Sequence, residues 1–187
     1  STWTSQTSGT ANDLLDMNCP GATTCYASGA SGTILKTTNG TSWSAQTSGT
    51  TQSQYSVDCP DATHCWSVGL AGTIRNTSNG TLWTGQGSGT SQNLYAVSCP
   101  DTTHCLAVGA AGTAVLTSNG TSWSASTSGT ANDLHGVSCL STTVCYAFGA
   151  SGTILKTSNF GTSWTAETSG TTNYITWAAF PTATDGW

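Results

Sequence analysis

The chain has 187 residues and a net charge of -5, and only 6% of its residues are charged, against about a quarter in ordinary domains. Its three basic residues, Lys36, Arg75 and Lys156, cannot neutralise a run of phosphates, which excludes nucleic acid as a partner. No stretch approaches the roughly eighteen apolar residues of a membrane helix, so membrane insertion is not expected; the polarity comes from Ser, Thr, Asn and 22 Gly, which favour strands and turns over long helices.

Trp3 opens a repeat that returns at Trp43, Trp83, Trp123 and Trp164, at spacings of 40, 40, 40 and 41 residues. Cysteines keep the same register (Cys19/Cys25, Cys59/Cys65, Cys99/Cys105, Cys139/Cys145), as do the Gly-Thr pairs that start at Gly32, Gly72, Gly112 and Gly152. The boundaries are about 3–42, 43–82, 83–122 and 123–163, with a partial repeat at 164–187, all within one repeat domain. Both ends fall inside a unit, so the chain reads as a piece of a longer protein.

Each unit carries four short strands, spaced in the third as Leu94 to Cys99, Cys105 to Gly109, Thr113 to Thr117 and Trp123 to Thr127. Pro100-Asp101-Thr102-Thr103, Ala110-Ala111-Gly112 and Ser118-Asn119-Gly120-Thr121 supply the turns, each of a length that suits an antiparallel connection. Strict alternation along the first strand places Leu15, Tyr55 and Tyr95 with Met17, Val57 and Val97 on one face, and Leu14, Leu94, Leu134 and Ile175 on the other. Both faces want burial, as in stacked blades. The expected fold is all-β: a β-propeller of four-stranded antiparallel blades, four full and partial ones at the termini, with an open β-repeat solenoid or fibre as the alternative.

Thr157-Ser158-Asn159-Phe160-Gly161-Thr162-Ser163-Trp164 resembles the Asp-box, or BNR, motif with Asn in place of Asp, and Thr38-Asn39-Gly40-Thr41-Ser42-Trp43 is a form one residue shorter. With Phe180-Pro181-Thr182-Ala183-Thr184-Asp185-Gly186-Trp187, the chain looks similar to photosystem II assembly-factor-like and sialidase-like propeller repeats. The resemblance implies that the box is a structural turn between the third and fourth strands. It also implies a protein-binding role, and closure by a terminal outer strand.

Each Cys-x5-Cys pair sits where the first strand turns into the second, so local disulfides are expected. In the fifth repeat Phe180 and Gly186 replace both cysteines together, as bonded partners would. Such staples fit an oxidising, extracellular compartment. The competing zinc reading, suggested by His64 and His104 beside Cys65 and Cys105, lacks the closer ligand spacing of structural zinc sites, so no metal or cofactor is expected. Asn39, Asn76, Asn79 and Asn119 begin acceptor sequons for N-glycans, although Asn-Gly is also simply a favoured turn dipeptide.

Chemistry has little to work with. The arginine triad of sialidases is impossible with Arg75 alone, and most acids fall at repeated turns, leaving Asp16, Asp58 and Glu167 to interpret. No enzyme activity is expected. Positions that vary on a fixed frame are candidates for recognition: Tyr55, Tyr95 and His135 in the column Leu15, Tyr55, Tyr95, His135, Thr176, and Trp66 and Tyr146 in the column Tyr26, Trp66, Leu106, Tyr146, Trp187. Their aromatic faces suit sugars or inter-blade packing. The resulting expectation is a secreted structural or adhesive scaffold that self-associates, even into fibres, through unfinished blade ends. A multivalent lectin and a protein-binding assembly factor are the alternatives.

Overall fold

A computed structural model describes residues 4–176 and 178. Trp3, Trp187 and the segment from Phe180 to Gly186 that aligns with the cysteine loop lie outside the described residues. The rest is all-β: four antiparallel sheets of four strands, each in simple meander order. Blade one holds β1 (Leu14–Asn18), β2 (Cys25–Gly29), β3 (Ile34–Thr37) and β4 (Ser44–Ala45), and blade two β5 (Gln54–Asp58), β6 (Cys65–Gly69), β7 (Ile74–Thr77) and β8 (Thr84–Gln86). Blade three holds β9 (Leu94–Ser98), β10 (Cys105–Gly109), β11 (Thr113–Thr117) and β12 (Ser124–Thr127). Blade four holds β13 (Leu134–Cys139), β14 (Cys145–Gly149), β15 (Ile154–Thr157) and β16 (Thr165–Glu167). The first strand of each blade packs on the first strand of the next, which sets the blades around a common axis in a propeller.

Turn chemistry makes these hairpins. Between the second and third strands, Ser31 (φ 55°) is followed by Gly32 (φ 73°), and the same pair of left-handed residues recurs at Ala71, Ala111 and Ser151 with their glycines. Gly32, Gly72, Gly112 and Gly152 are also required sterically, because a Cβ on any of them would strike the backbone carbonyl of Thr50, Thr90, Thr130 or Thr171.

Strict alternation fails at one place in every first strand. The pairing shifts between Leu14 and Asp16, between Gln54 and Ser56, and between Leu134 and Gly136, and the same shift separates Leu94 from Ala96. Residues 15, 55, 95 and 135 are the extra residues of β-bulges. The bulge reverses the parity, so Leu94 and Val97 lie on one face instead of two and pack together against Trp66, Val68 and Ile74 of the preceding blade.

The core is therefore a set of blade-on-blade interfaces. The back face of each blade receives the forward face of the blade before it: Tyr26 and Ile34 meet Val57 and Trp83, and Val108 and Ala114 meet Leu134, Ala147 and Leu155. Burying these side chains is the main stabilising contribution. Disulfides Cys19–Cys25, Cys59–Cys65, Cys99–Cys105 and Cys139–Cys145 each close the turn between first and second strands of one blade.

Candidate functional site

The bulge residues converge on the axis. Leu15, Tyr55, Tyr95, His135 and Thr176 line one cavity of about 420 Å³, together with Asp16, Asn18 and Asp58. Tyr55 and Tyr95 lie 5.8 Å apart, Tyr95 stacks on His135 at 5.1 Å with 14° between planes, and His135 meets Tyr174 at 5.4 Å. The structure thus brings Tyr55, Tyr95 and His135 together, with one face of Tyr95 stacked on one face of His135.

Trp66 is placed differently. It is 1% exposed, and its Nε1 donates to the Gly120 carbonyl of the next blade at 3.3 Å. It is an inter-blade pin that no ligand reaches, which removes it from the recognition candidates. Tyr146 occupies the equivalent place in blade four, half-buried, with Lys156 Nζ 5.4 Å above its ring.

The acids on the axis are structural clips. Asp16 accepts from Ser56 Oγ at 2.8 Å and Val57 N at 2.9 Å, across the first junction. Asp58 accepts from Asn18 Nδ2 at 2.7 Å, Cys59 N at 3.0 Å and Cys99 N at 2.7 Å, joining three blades. Ser98 does the same for Cys139 N at 3.0 Å. Burial pushes the Asp58 carboxyl up to about 6, against the pull of the Cys99 and Cys59 N–H groups and with a further push from Asp16. The folded state therefore holds the Asp58 proton more tightly than the unfolded chain does, so this stabilisation is full below pH ~4 and is lost as pH rises through 6. Urea unfolding should show stability falling by up to about 3 kcal/mol between pH 4 and 6.5, with the slope flattened in Asp58→Asn. A wild-type curve that rises through this window would contradict the assignment.

Turn chemistry accounts for the loop acids. Burial raises the Asp101 carboxyl, but hydrogen bonds from Thr103 and His104 outweigh it and hold the group at about 2, and Asp61 is held low in the same way by Thr63 and His64. Their stabilisation is lost only toward pH 2, outside the Asp58 window. Among the described residues no group of three or more His, Cys, Asp or Glu could hold a metal.

The box turns repeat one geometry. Asn39 Oδ1 accepts from Thr41 N at 3.0 Å and Ser42 N at 2.8 Å, and Asn79 and Asn119 do likewise on equivalent exposed turns. Asn76 instead sits inside β7, half-buried, with Nδ2 donating to the Cys65 carbonyl at 3.2 Å, which ties up the nitrogen a glycan would need.

One site went unnoticed in the sequence. On the back face of blade one, Leu14 and Met17 are 43 and 58% exposed, whereas Leu94 and Val97 at the same places in blade three are 0 and 6%. These side chains, with Ala27 and Trp43, floor a slot of about 480 Å³ whose outer wall is Gln6 and Ser8. Gln6 bridges the Gly40 carbonyl and Trp43 Nε1, both at 2.8 Å. Gln86, the last residue of the outer strand β8, bridges Gly120 and Trp123 at 2.8 and 2.7 Å. Residues 4–8 therefore stand where the outer strand of a preceding blade stands. Gln stands 37 residues before Trp43, Trp83 and Trp123 alike, but Gln46 turns its amide to Ser44 and Ala45 instead of Trp83, so the spacing alone does not give the clamp.

No protein-family model and no curated protein matches the chain. Among solved structures, an ancestral GH74 enzyme superposes with a TM-score of 0.65 at 16% identity, over 88% of this chain and 25% of that one. A structure of YCF48 bound to D1 peptide superposes with a TM-score of 0.54 at 12% identity, over 95% of this chain and 90% of that one. This chain spans about a quarter of the length of the GH74 enzyme. At these identities the likeness establishes the fold alone, and that fold is the β-propeller.

Proposed function

We propose that the chain is a non-catalytic propeller scaffold that binds another protein. The cavity on the axis, lined by Tyr55, Tyr95 and His135 beside carboxylates already used as clips between blades, carries this reading. The oxygens of Asp16 and Asp58 are taken by N–H and O–H donors, so these two carboxylates are not a free pair for hydrolysis. The YCF48 structure, with its bound D1 peptide, supports a protein partner for this fold, and four disulfides support an oxidising compartment.

A photoreactive phenylalanine placed at position 55, on the axial cavity, in the chain expressed in its native host, is expected to form a discrete protein adduct. The same residue at position 82, where Leu82 is 65% exposed, serves as the control. No adduct at 55, or equal adducts at both positions, would refute the proposal.

A further inference from the structure

We propose that the outer half of the junction between blades one and two binds a carboxylate, held jointly by Arg75 and the indole N–H of Trp83. Arg75 departs from its column. Leu35, Val115 and Leu155 stand at the same place in the other blades and are 1, 1 and 4% exposed. Val57, Ser67, Arg75 and Gly85 pair in one row across the sheet, and Val57 packs with Tyr26 and Ile34, so Arg75 also faces blade one. Its strand partner is Gly85, where the other blades have Ala45, Ala125 and Ala166, and a Cβ at position 85 would crowd Nη1.

The arginine has few partners there. Its Nε is buried without one, Nη2 makes a single long bond of 3.4 Å to the Trp83 carbonyl, and among the described residues no carboxylate pairs with it. Burial pulls the guanidinium below the usual arginine range, a cost that a carboxylate in contact would offset. Trp83 adds a second donor: it is 3% exposed, and its Nε1 is buried with no partner. Elsewhere the same nitrogen is bonded from the preceding outer strand, Trp43 to Gln6, Trp123 to Gln86 and Trp164 to Ser126. Gln46 holds that place here, but Gly80 O, which would anchor its amide, already takes Lys36 Nζ and Tyr26 Oη. Gln46 turns instead to Ser44 and Ala45 through bonds of 3.4 Å, and rotation of this half-buried side chain opens the indole N–H to a ligand. Lys36 is committed to Gly80 O and the Tyr26 ring, so Arg75 is the one uncommitted cation among the described residues of the junction, and a monoanion matches it. A planar carboxylate fits the guanidinium fork with an oxygen toward the indole.

The test follows the Trp83 indole resonance of the isotope-labelled whole chain, assigned by its loss in Trp83→Phe, during titration with sodium acetate at constant ionic strength. It is expected to move saturably, to need roughly fivefold more acetate in Arg75→Lys, which lacks the fork, and to stay still in Arg75→Leu/Gly85→Ala. That double variant restores the Leu-Ala pair of blades one and four and so keeps the fold. No movement with acetate, equal movement with chloride or phosphate, or movement that survives the double variant would overturn the site. A second arm separates the sources of the carboxylate: the position 55 adduct, repeated in the double variant, falls severalfold if the group belongs to the protein partner and is unchanged if it belongs to a small acid. The acetate titration needs no partner, so an absent adduct at 55 would refute the protein-binding reading alone.

Discussion

Reduction of all four disulfides is expected to lower the melting temperature by about 20 °C. Each bond joins cysteines six positions apart, and closing so short a loop contributes on the order of 2 kcal/mol in the chain-entropy model. The bonds sit in successive blades about 40 residues apart and share no partners, so their contributions should nearly add, to roughly 8 kcal/mol. The blades depend on them because much of the interior is small: Ala27, Ala107, Ala114, Ala147, Ser28 and Ser67 are all buried and bring little apolar area. Calorimetry with and without a reductant measures the shift. A fall of less than about 5 °C would mean that packing alone holds the turns.

Trp66→Ala should cost about 3–5 kcal/mol. Trp66 is among the largest fully buried side chains; it fills the junction between blades two and three beside Val97 and Cys99, and it loses its bond to Gly120 O when truncated. The cavity adjoins two strands and a disulfide that cannot collapse freely, which argues for the upper part of the range. Urea unfolding is the measurement. A cost below 1 kcal/mol would return Trp66 to the surface and to the list of binding residues.

The periodicity exposed the architecture because three markers with different causes share one spacing. Tryptophan pins the box turn, cysteines close the first hairpin, and Gly-Thr follows the left-handed turn. The strand limits in the third blade were legible to within one residue: β9 ends at Ser98 instead of Cys99, where the disulfide loop leaves the ladder, and β12 starts at Ser124 because Trp123 belongs to the turn. What sequence hides is the bulge. One unpaired residue per first strand inverts the parity, so Tyr55, Tyr95 and His135 go to the axis while Leu94 joins Val97 in the interface. Asp16 and Asp58 could not be read either, because their partners are N–H groups about 40 residues away on a neighbouring blade.

The slot was hidden for a related reason. Leu14 and Met17 look like core residues in sequence, and at the equivalent places in blade three, Leu94 and Val97, they are core; only the arrangement of blades shows that among the described residues nothing comparable covers them.

Met17 reports on this directly, since it is the one methionine of the chain. Its oxidation by dilute peroxide, followed by mass spectrometry, should proceed in the folded protein at a rate within about threefold of a free methionine peptide. A Met17 oxidised only as fast as the chain unfolds would show the face to be already covered, and would contradict the account.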